Sequence, residues 1–135
     1  GSCVAVVLHD ARSGVAGLAH VMLPAPSSDR PPVPEGRYVV SAVPALLREM
    51  TRLGAGIAGI TGRLIGGASM FASLAGQGTM QIGERNVAAA REALERMGIP
   101  VTGEATGGEF GRSVEVVLPS GAITITSYAH DPEQL

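Results

Sequence analysis

The sequence has no tryptophan and contains only two phenylalanines and two tyrosines among its 135 residues. Proteins that bind single-stranded nucleic acid stack bases on aromatic side chains, so this shortage argues against that class. Positive charge is not in excess either, because ten Lys and Arg against twelve Asp and Glu give a formal net charge of −2. Since binding to a phosphate backbone needs a basic surface, nucleic acid is not expected as a partner.

Cysteine is scarce as well, with a single residue at position 3. One thiol cannot form an internal disulfide, which fits a reducing compartment, so we expect a cytoplasmic protein. One Cys and three scattered His do not have the spacing of metal ligands, and we expect neither a metal nor a cofactor. No signal-peptide pattern opens the chain, and the Gly-rich uncharged stretch 53–62 is far shorter than a membrane span. We therefore do not expect a membrane-embedded protein.

One glycine motif has to be weighed against its context. Residues 54–59 match the G-x-G-x-x-G letters of dinucleotide-binding loops. That motif works between a preceding strand and a following helix, whereas here the predicted helix precedes and the predicted strand follows. We interpret the segment as a link between those two elements and not as a nucleotide site.

The remaining composition indicates a globular chain. Hydrophobic residues make up 45% and charged residues 16%, and the length fits one domain over residues 1–135. The periods of the apolar residues predict strands and helices, with Ser41 as the N-cap of the first helix. The predicted elements are strands 3–8, 15–23, 60–65, 99–106, 113–118 and 122–128, helices 43–53 and 83–97, loops 24–34 and 68–81, and a frayed tail at 129–135. This order predicts a single layered α/β domain with mixed β-sheet strands and two main helices.

Cys3 stands at the mouth of the first predicted strand, directly before Val4. A single cysteine beside apolar residues is most often a small buried hydrophobe. At the entrance of a strand, however, the thiol can face a cleft, and it is then a nucleophile if a base lies near enough to ionise it. Both interpretations stay open on the residues alone.

The best candidate for that base is His20, on the strand predicted to pair with the first one. An imidazole in an apolar strand is costly to bury unless it is paired, and hairpin partners lie about 5 Å apart. A core histidine with satisfied hydrogen bonds is an equally open alternative. His9, in the predicted turn, is interpreted as solvated, and His130 in the tail is not expected to be catalytic.

Several short blocks occur together in the chain. Gly-Ser-Cys-Val-Ala-Val opens it and carries Cys3, and Gly-Leu-Ala-His-Val-Met-Leu-Pro at 17–24 carries His20. The later blocks are Gly-Gly-Ala-Ser-Met at 66–70, Ile-Gly-Glu-Arg-Asn at 82–86, and Gly-Gly at 107–108 with Gly-Arg at 111–112. Taken in this order, the series resembles the CheD family of chemoreceptor glutamine deamidases over nearly the whole chain.

The resemblance implies a layered α/β fold related to bacterial toxin-type cysteine deamidases. It implies Cys3 as the nucleophile and His20 as the general base. It also implies a third active-site member, a threonine shortly before the first block, so we expect a further N-terminal segment before Gly1.

The implied reaction is attack of the Cys3 thiolate on the side-chain amide of a glutamine, followed by hydrolysis of the thioester to glutamate. Backbone N–H groups around Ser2 and Cys3 are predicted to hold the oxyanion, and Gly67 and Ala68 are predicted to line the same cleft. Asn86 is expected either to orient the site or to form a hydrogen bond at the helix start.

The resemblance thus predicts a cysteine-dependent protein-glutamine deamidase acting on the cytoplasmic helices of methyl-accepting chemotaxis receptors. The competing class, also implied by the resemblance, is a non-catalytic partner that regulates a CheC-type phosphatase. A generic cysteine hydrolase of small amides shares the site but differs in substrate. A mass shift of about one dalton on a receptor helix separates the deamidase from the binding partner.

Overall fold

A computed structural model describes residues 1–27, 34–71, 81–128 and 130–135. Within these ranges the chain forms seven strands and two α-helices. The strands are β1 (Val4–Asp10), β2 (Ala16–Val21), β3 (Ile60–Gly66), β4 (Val101–Thr106), β5 (Ser113–Val117), β6 (Ala122–Thr126) and β7 (Glu133–Gln134). The helices are α1 (Val39–Arg52) and α2 (Ile82–Arg96). The predicted α/β class with two main helices is confirmed.

The strands form two separate sheets. The larger one has the order β2-β1-β3-β4, in which β1 runs antiparallel to both neighbours while β3 and β4 are parallel. The smaller sheet has the order β5-β6-β7 and is antiparallel throughout. The predicted hairpin between the first two strands and the mixed pairing are therefore both present.

Alternation along β1 explains why the domain has three layers. Val4, Val6 and Leu8 are buried in one apolar cluster with residues of both helices. Val7, on the opposite face of the strand, is buried in a second cluster with Ile123 of the smaller sheet. Because successive side chains of a strand point to opposite faces, β1 packs against helices on one side and against the smaller sheet on the other.

The two helices bury one stripe each against the larger sheet. Val43 and Met50 of α1, and Ala90 and Leu94 of α2, are almost completely buried there. The predicted N-cap of α1 was wrong, because the helix begins at Val39. Ser41 lies inside its first turn, and its hydroxyl donates to backbone carbonyls instead of capping.

Two further predictions about the edges of elements were wrong. His9 is not solvated in a turn, because β1 continues to Asp10 and the ring is buried, with Nε2 donating to the Pro119 carbonyl at 2.9 Å. The described part of the tail is not frayed, because β7 pairs with β6 and Leu135 packs on the second apolar cluster. Both differences come from contacts with the smaller sheet, which for His9 are distant in sequence and for the tail are made with the neighbouring strand β6.

The G-x-G-x-x-G segment lies as predicted between a helix and a strand. Residues 54–59 run from the end of α1 through a short 3₁₀ turn into β3. The predicted loops 24–34 and 68–81 fall partly outside the described residues. Neither helix within the described ranges is long and apolar enough to cross a membrane.

Candidate active site

The β1–β2 hairpin brings Cys3 and His20 to the same face of the larger sheet. In the ladder, Ala5 lies directly opposite His20. Cys3 precedes Ala5 by two residues, so the extended chain places it on the same face and diagonal to His20. Diagonal neighbours lie about 7–8 Å apart, which is still within reach of long or aromatic side chains.

Cys3 and His20 both line a cleft of about 370 Å³ between the larger sheet and the start of β5. Cys3 is half-buried and His20 is exposed, so the thiol is not sealed inside the core. The two side chains share the cleft without a direct hydrogen bond between them. Catalytic hydrogen bonds often form only when substrate is bound, so this geometry is compatible with a nucleophile and its base.

The backbone at the end of β3 holds Cys3 in place. The Gly67 N–H donates to the Cys3 carbonyl and the Ala68 N–H donates to the Gly1 carbonyl, each at 2.8 Å. Gly66 has a φ of +116°, and a Cβ there would lie 2.3 Å from the Cys3 carbonyl oxygen. Only glycine permits the chain to approach so closely in this conformation.

The residues predicted beside the nucleophile divide between two clefts. Ser2 and Ala68 line a second cleft of about 450 Å³, which Cys3 also borders and which carries the exposed side chains of Met70 and Phe71. Gly67 lines a different hollow beside α2. The structure thus places Ser2, Cys3 and Ala68 around one cleft, whereas Gly67 contacts the Cys3 backbone but lines neither of the two clefts that Cys3 borders.

Asn86 reaches the site from the first half of α2. Its side chain is fully buried, and Nδ2 donates to the Ser2 and Met22 carbonyls, each at 2.9 Å. Of the two interpretations made from the sequence, the contacts favour the first, because the amide bonds to the strand segments beside Cys3 and His20 rather than to its own helix.

Arg112 is a residue of the cleft to which sequence reasoning gave no role. It lines the cleft with Cys3 and His20, its guanidinium stacks 4.2 Å from the Phe110 ring centroid, and Nη1 donates to the Gly107 carbonyl at 2.8 Å. Burial lowers the pKa of the Arg112 guanidinium, which nevertheless stays charged because arginine titrates far above neutral pH. The only sequence signal was the Gly-Arg pair at 111–112. Because this pair lies far from Cys3 along the chain, the sequence did not indicate that Arg112 and Cys3 line the same cleft.

Asp10, the buried acidic residue next to the hairpin turn, stabilises the surrounding backbone. The Asp10 carboxylate accepts hydrogen bonds from the Gly56 N–H at 2.9 Å, the Ser13 hydroxyl at 2.8 Å and the Arg12 N–H at 3.0 Å. These donors hold the pKa of Asp10 below its ordinary value.

Among the described residues, no three His, Cys, Asp or Glu side chains group closely enough to hold a metal ion.

Comparison with known proteins identifies the family of this chain. The family model described as CheD chemotactic sensory transduction matches residues 22–127. The chain belongs to the CheD family. The match begins after Cys3 and His20, but similarity to individual CheD proteins extends over the hairpin as well.

Three similar proteins are named "Probable chemoreceptor glutamine deamidase CheD", one of them with the number 2 added. The protein of Geobacter metallireducens is 40% identical over 100% of this chain and 84% of its own length. That of Caldanaerobacter subterraneus subsp. tengcongensis is 38% identical over 96% of this chain and 80% of its own. That of Methanococcus vannielii is 39% identical over 93% of this chain and 79% of its own.

Proposed function

We propose that this CheD-family chain is a protein-glutamine deamidase that converts glutamine side chains of chemotaxis receptors to glutamate, with Cys3 as nucleophile and His20 as base. The observation that supports this most is the shared cleft, in which the chain's single thiol and an exposed imidazole lie on one face of two paired strands. The names of the relatives indicate the substrate, and the thiol and imidazole in the cleft support the proposed reaction.

In the first half of the reaction His20 takes the proton of the Cys3 thiol, and the sulfur attacks the carbonyl carbon of the glutamine side chain. The carbon–nitrogen bond then breaks, and the imidazolium protonates the departing nitrogen as ammonia leaves. A thioester between Cys3 and the substrate remains.

In the second half water attacks the thioester while His20 accepts a proton from it. The carbon–sulfur bond breaks, the side chain leaves as glutamate, and the proton returns to the thiolate. Both halves require the same His20 nitrogen to alternate between base and acid, which an imidazole does well near neutral pH.

We propose the N–H groups of Ser2 and Cys3 as the donors that hold the oxyanion. The N–H groups of Gly67 and Ala68 already donate to the carbonyls of Cys3 and Gly1. We therefore assign Gly67 and Ala68 to holding Cys3 in place, with Ala68 also shaping the wall of the second cleft. A donor aimed at the developing charge contributes most when it is fixed before the reaction begins.

The test is ammonia release from a purified receptor cytoplasmic fragment, together with intact mass. Cys3→Ser and His20→Ala are each expected to lower kcat at least about 1000-fold, since each removes a group that makes or breaks bonds. Both variants should keep the wild-type melting temperature within a few degrees, because neither side chain is buried in an apolar cluster. Near-normal turnover in either variant refutes the assignment.

We further infer that the domain is related to toxin-type cysteine deamidases, that its substrates are the cytoplasmic helices of receptors, and that it acts in the cytoplasm beside a CheC-type phosphatase. These points rest on the family. A pull-down with a purified CheC-type phosphatase tests the partner directly, and absence of binding at micromolar concentration rejects it.

A further inference from the structure

Asn86 is a buried polar residue that touches both segments of chain next to Cys3 and His20. Its single amide nitrogen donates to the Ser2 and the Met22 carbonyl, each at 2.9 Å. Ser2 directly precedes Cys3, and Met22 follows His20 by two positions. One side chain thus connects the two segments that carry the proposed nucleophile and base.

The strand ladder does not extend to this end of the hairpin. The last pair of the β1–β2 ladder is Val4 with Val21, and the Met22 N–H donates to the Arg37 carbonyl instead of across the hairpin. Within the described residues no backbone hydrogen bond therefore joins the Ser2 and Met22 segments to each other, although β3 holds Cys3 and Arg37 holds Met22. The Asn86 amide supplies the missing connection, because one NH₂ group can hold two carbonyls at once.

The oxygen of the same amide shows that burying this side chain has an energetic cost. Asn86 Oδ1 is buried and has no hydrogen-bond partner among the described residues. A buried oxygen without a partner is unfavourable, so the side chain is held at a cost that its two donated bonds must offset.

We propose that Asn86 is a positioning residue that fixes the spacing between Cys3 and His20 by clamping Ser2 to Met22. The inference rests on the proposed deamidase function. An apolar or shorter side chain at this position leaves the hairpin paired as far as Val4 but removes the connection between Ser2 and Met22.

The test compares Asn86→Ala with Leu94→Val, a control in the same helix. Leu94 is buried in the apolar cluster against the larger sheet, and its side chain has no polar atom that could donate to Ser2 or Met22. Asn86→Ala is expected to lower kcat about 10- to 100-fold while KM changes less than about threefold, because a reacting pair displaced by a fraction of an ångström loses rate. The Leu94→Val control is expected to melt earlier but to keep kcat within about twofold.

A second readout needs no glutamine substrate. Cys3 is the only cysteine, so alkylation by iodoacetamide reports on this thiol alone. Because the thiolate is the reactive form and His20 is the proposed base, alkylation of folded Asn86→Ala is expected to slow at least about threefold, and that of Leu94→Val to stay unchanged.

The two readouts separate the two proposals. If the wild type releases no ammonia but alkylation slows only in Asn86→Ala, the deamidase function fails and the positioning role stands. If folded Asn86→Ala keeps kcat within about twofold, or alkylation is unchanged, the positioning role is refuted. Should Asn86→Ala not fold, Asn86→Ser is used, since its hydroxyl can satisfy only one of the two carbonyls and is expected to lose kcat in the same direction.

Discussion

Replacing Gly66 by alanine tests whether the close approach of β3 to Cys3 controls catalysis. A Cβ at position 66 would lie 2.3 Å from the Cys3 carbonyl oxygen, whereas Cβ contacts under 3.0 Å are essentially never found, so the backbone has to yield by about 0.7 Å. The carbonyl that moves belongs to the proposed nucleophile and accepts the Gly67 N–H. Displacement of a reacting group by this amount is expected to lower kcat between about 10- and 100-fold.

The same substitution also destabilises the fold. A φ of +116° costs a non-glycine residue about 1–3 kcal/mol, and weakening the bond from Gly67 to Cys3 costs about 1 kcal/mol more. We therefore expect Gly66→Ala to lower the free energy of unfolding by about 2–4 kcal/mol, measured by urea denaturation alongside steady-state ammonia release.

Gly54→Ala is the matched control. Gly54 has a φ of +102°, yet a Cβ there would meet no atom within 4 Å. It is expected to lose about 1–3 kcal/mol of stability from backbone strain alone, with kcat unchanged. If Gly66→Ala and Gly54→Ala have the same kcat, the close approach to Cys3 does not control catalysis and the reasoning fails.

Three other changes have distinct expected results. Arg112→Ala is expected to raise KM about tenfold with little change in kcat, because it removes a guanidinium that can bind an acceptor on the substrate, and Arg112→Lys is expected to lie between; an unchanged KM contradicts this. Stability of the wild type is expected to fall as the pH drops below the ordinary Asp10 value of 3.8 towards its lower folded pKa, because hydrogen bonds to the carboxylate are lost on protonation; urea midpoints measured against pH should show a weaker dependence in Asp10→Asn. Leu64→Ala, in a fully buried position of β3, is expected to cost about 2–5 kcal/mol in the same urea assay, and a loss below 1 kcal/mol would contradict the packing.

The predictions from the sequence were good where the signal was local. The period of apolar residues located both helices and the first hairpin, and the predicted 83–97 helix differs from α2 by one residue at each end. Ser41 failed as a cap because tertiary packing extended α1 by a turn, which the local capping preference cannot reveal.

The surroundings of His9, Arg112 and Asn86 depend on the smaller sheet or on α2. His9 looks solvated beside Asp10 until Pro119 supplies its hydrogen-bond acceptor. Arg112 contacts Phe110 and Gly107 in its own segment, but most of the cleft that it lines comes from β1 with the residues before it, β2 and β3. The Asn86 amide donates to carbonyls far away in sequence. Contacts between distant segments do not produce a periodic pattern in the sequence, so they could not be predicted from it.

The sequence by itself determined the element order as far as β6, the hairpin, and the choice of Cys3 and His20 as candidates, because strand alternation, helix period and thiol chemistry are properties of neighbouring residues. Only the tertiary structure decided that the thiol lies in an open cleft, that Arg112 lines it, and that the Asn86 amide donates to the Ser2 and Met22 carbonyls. Those outcomes depend on the smaller sheet and α2 packing on opposite faces of β1, and packing between distant segments is set by the complementarity of whole surfaces rather than by any local pattern.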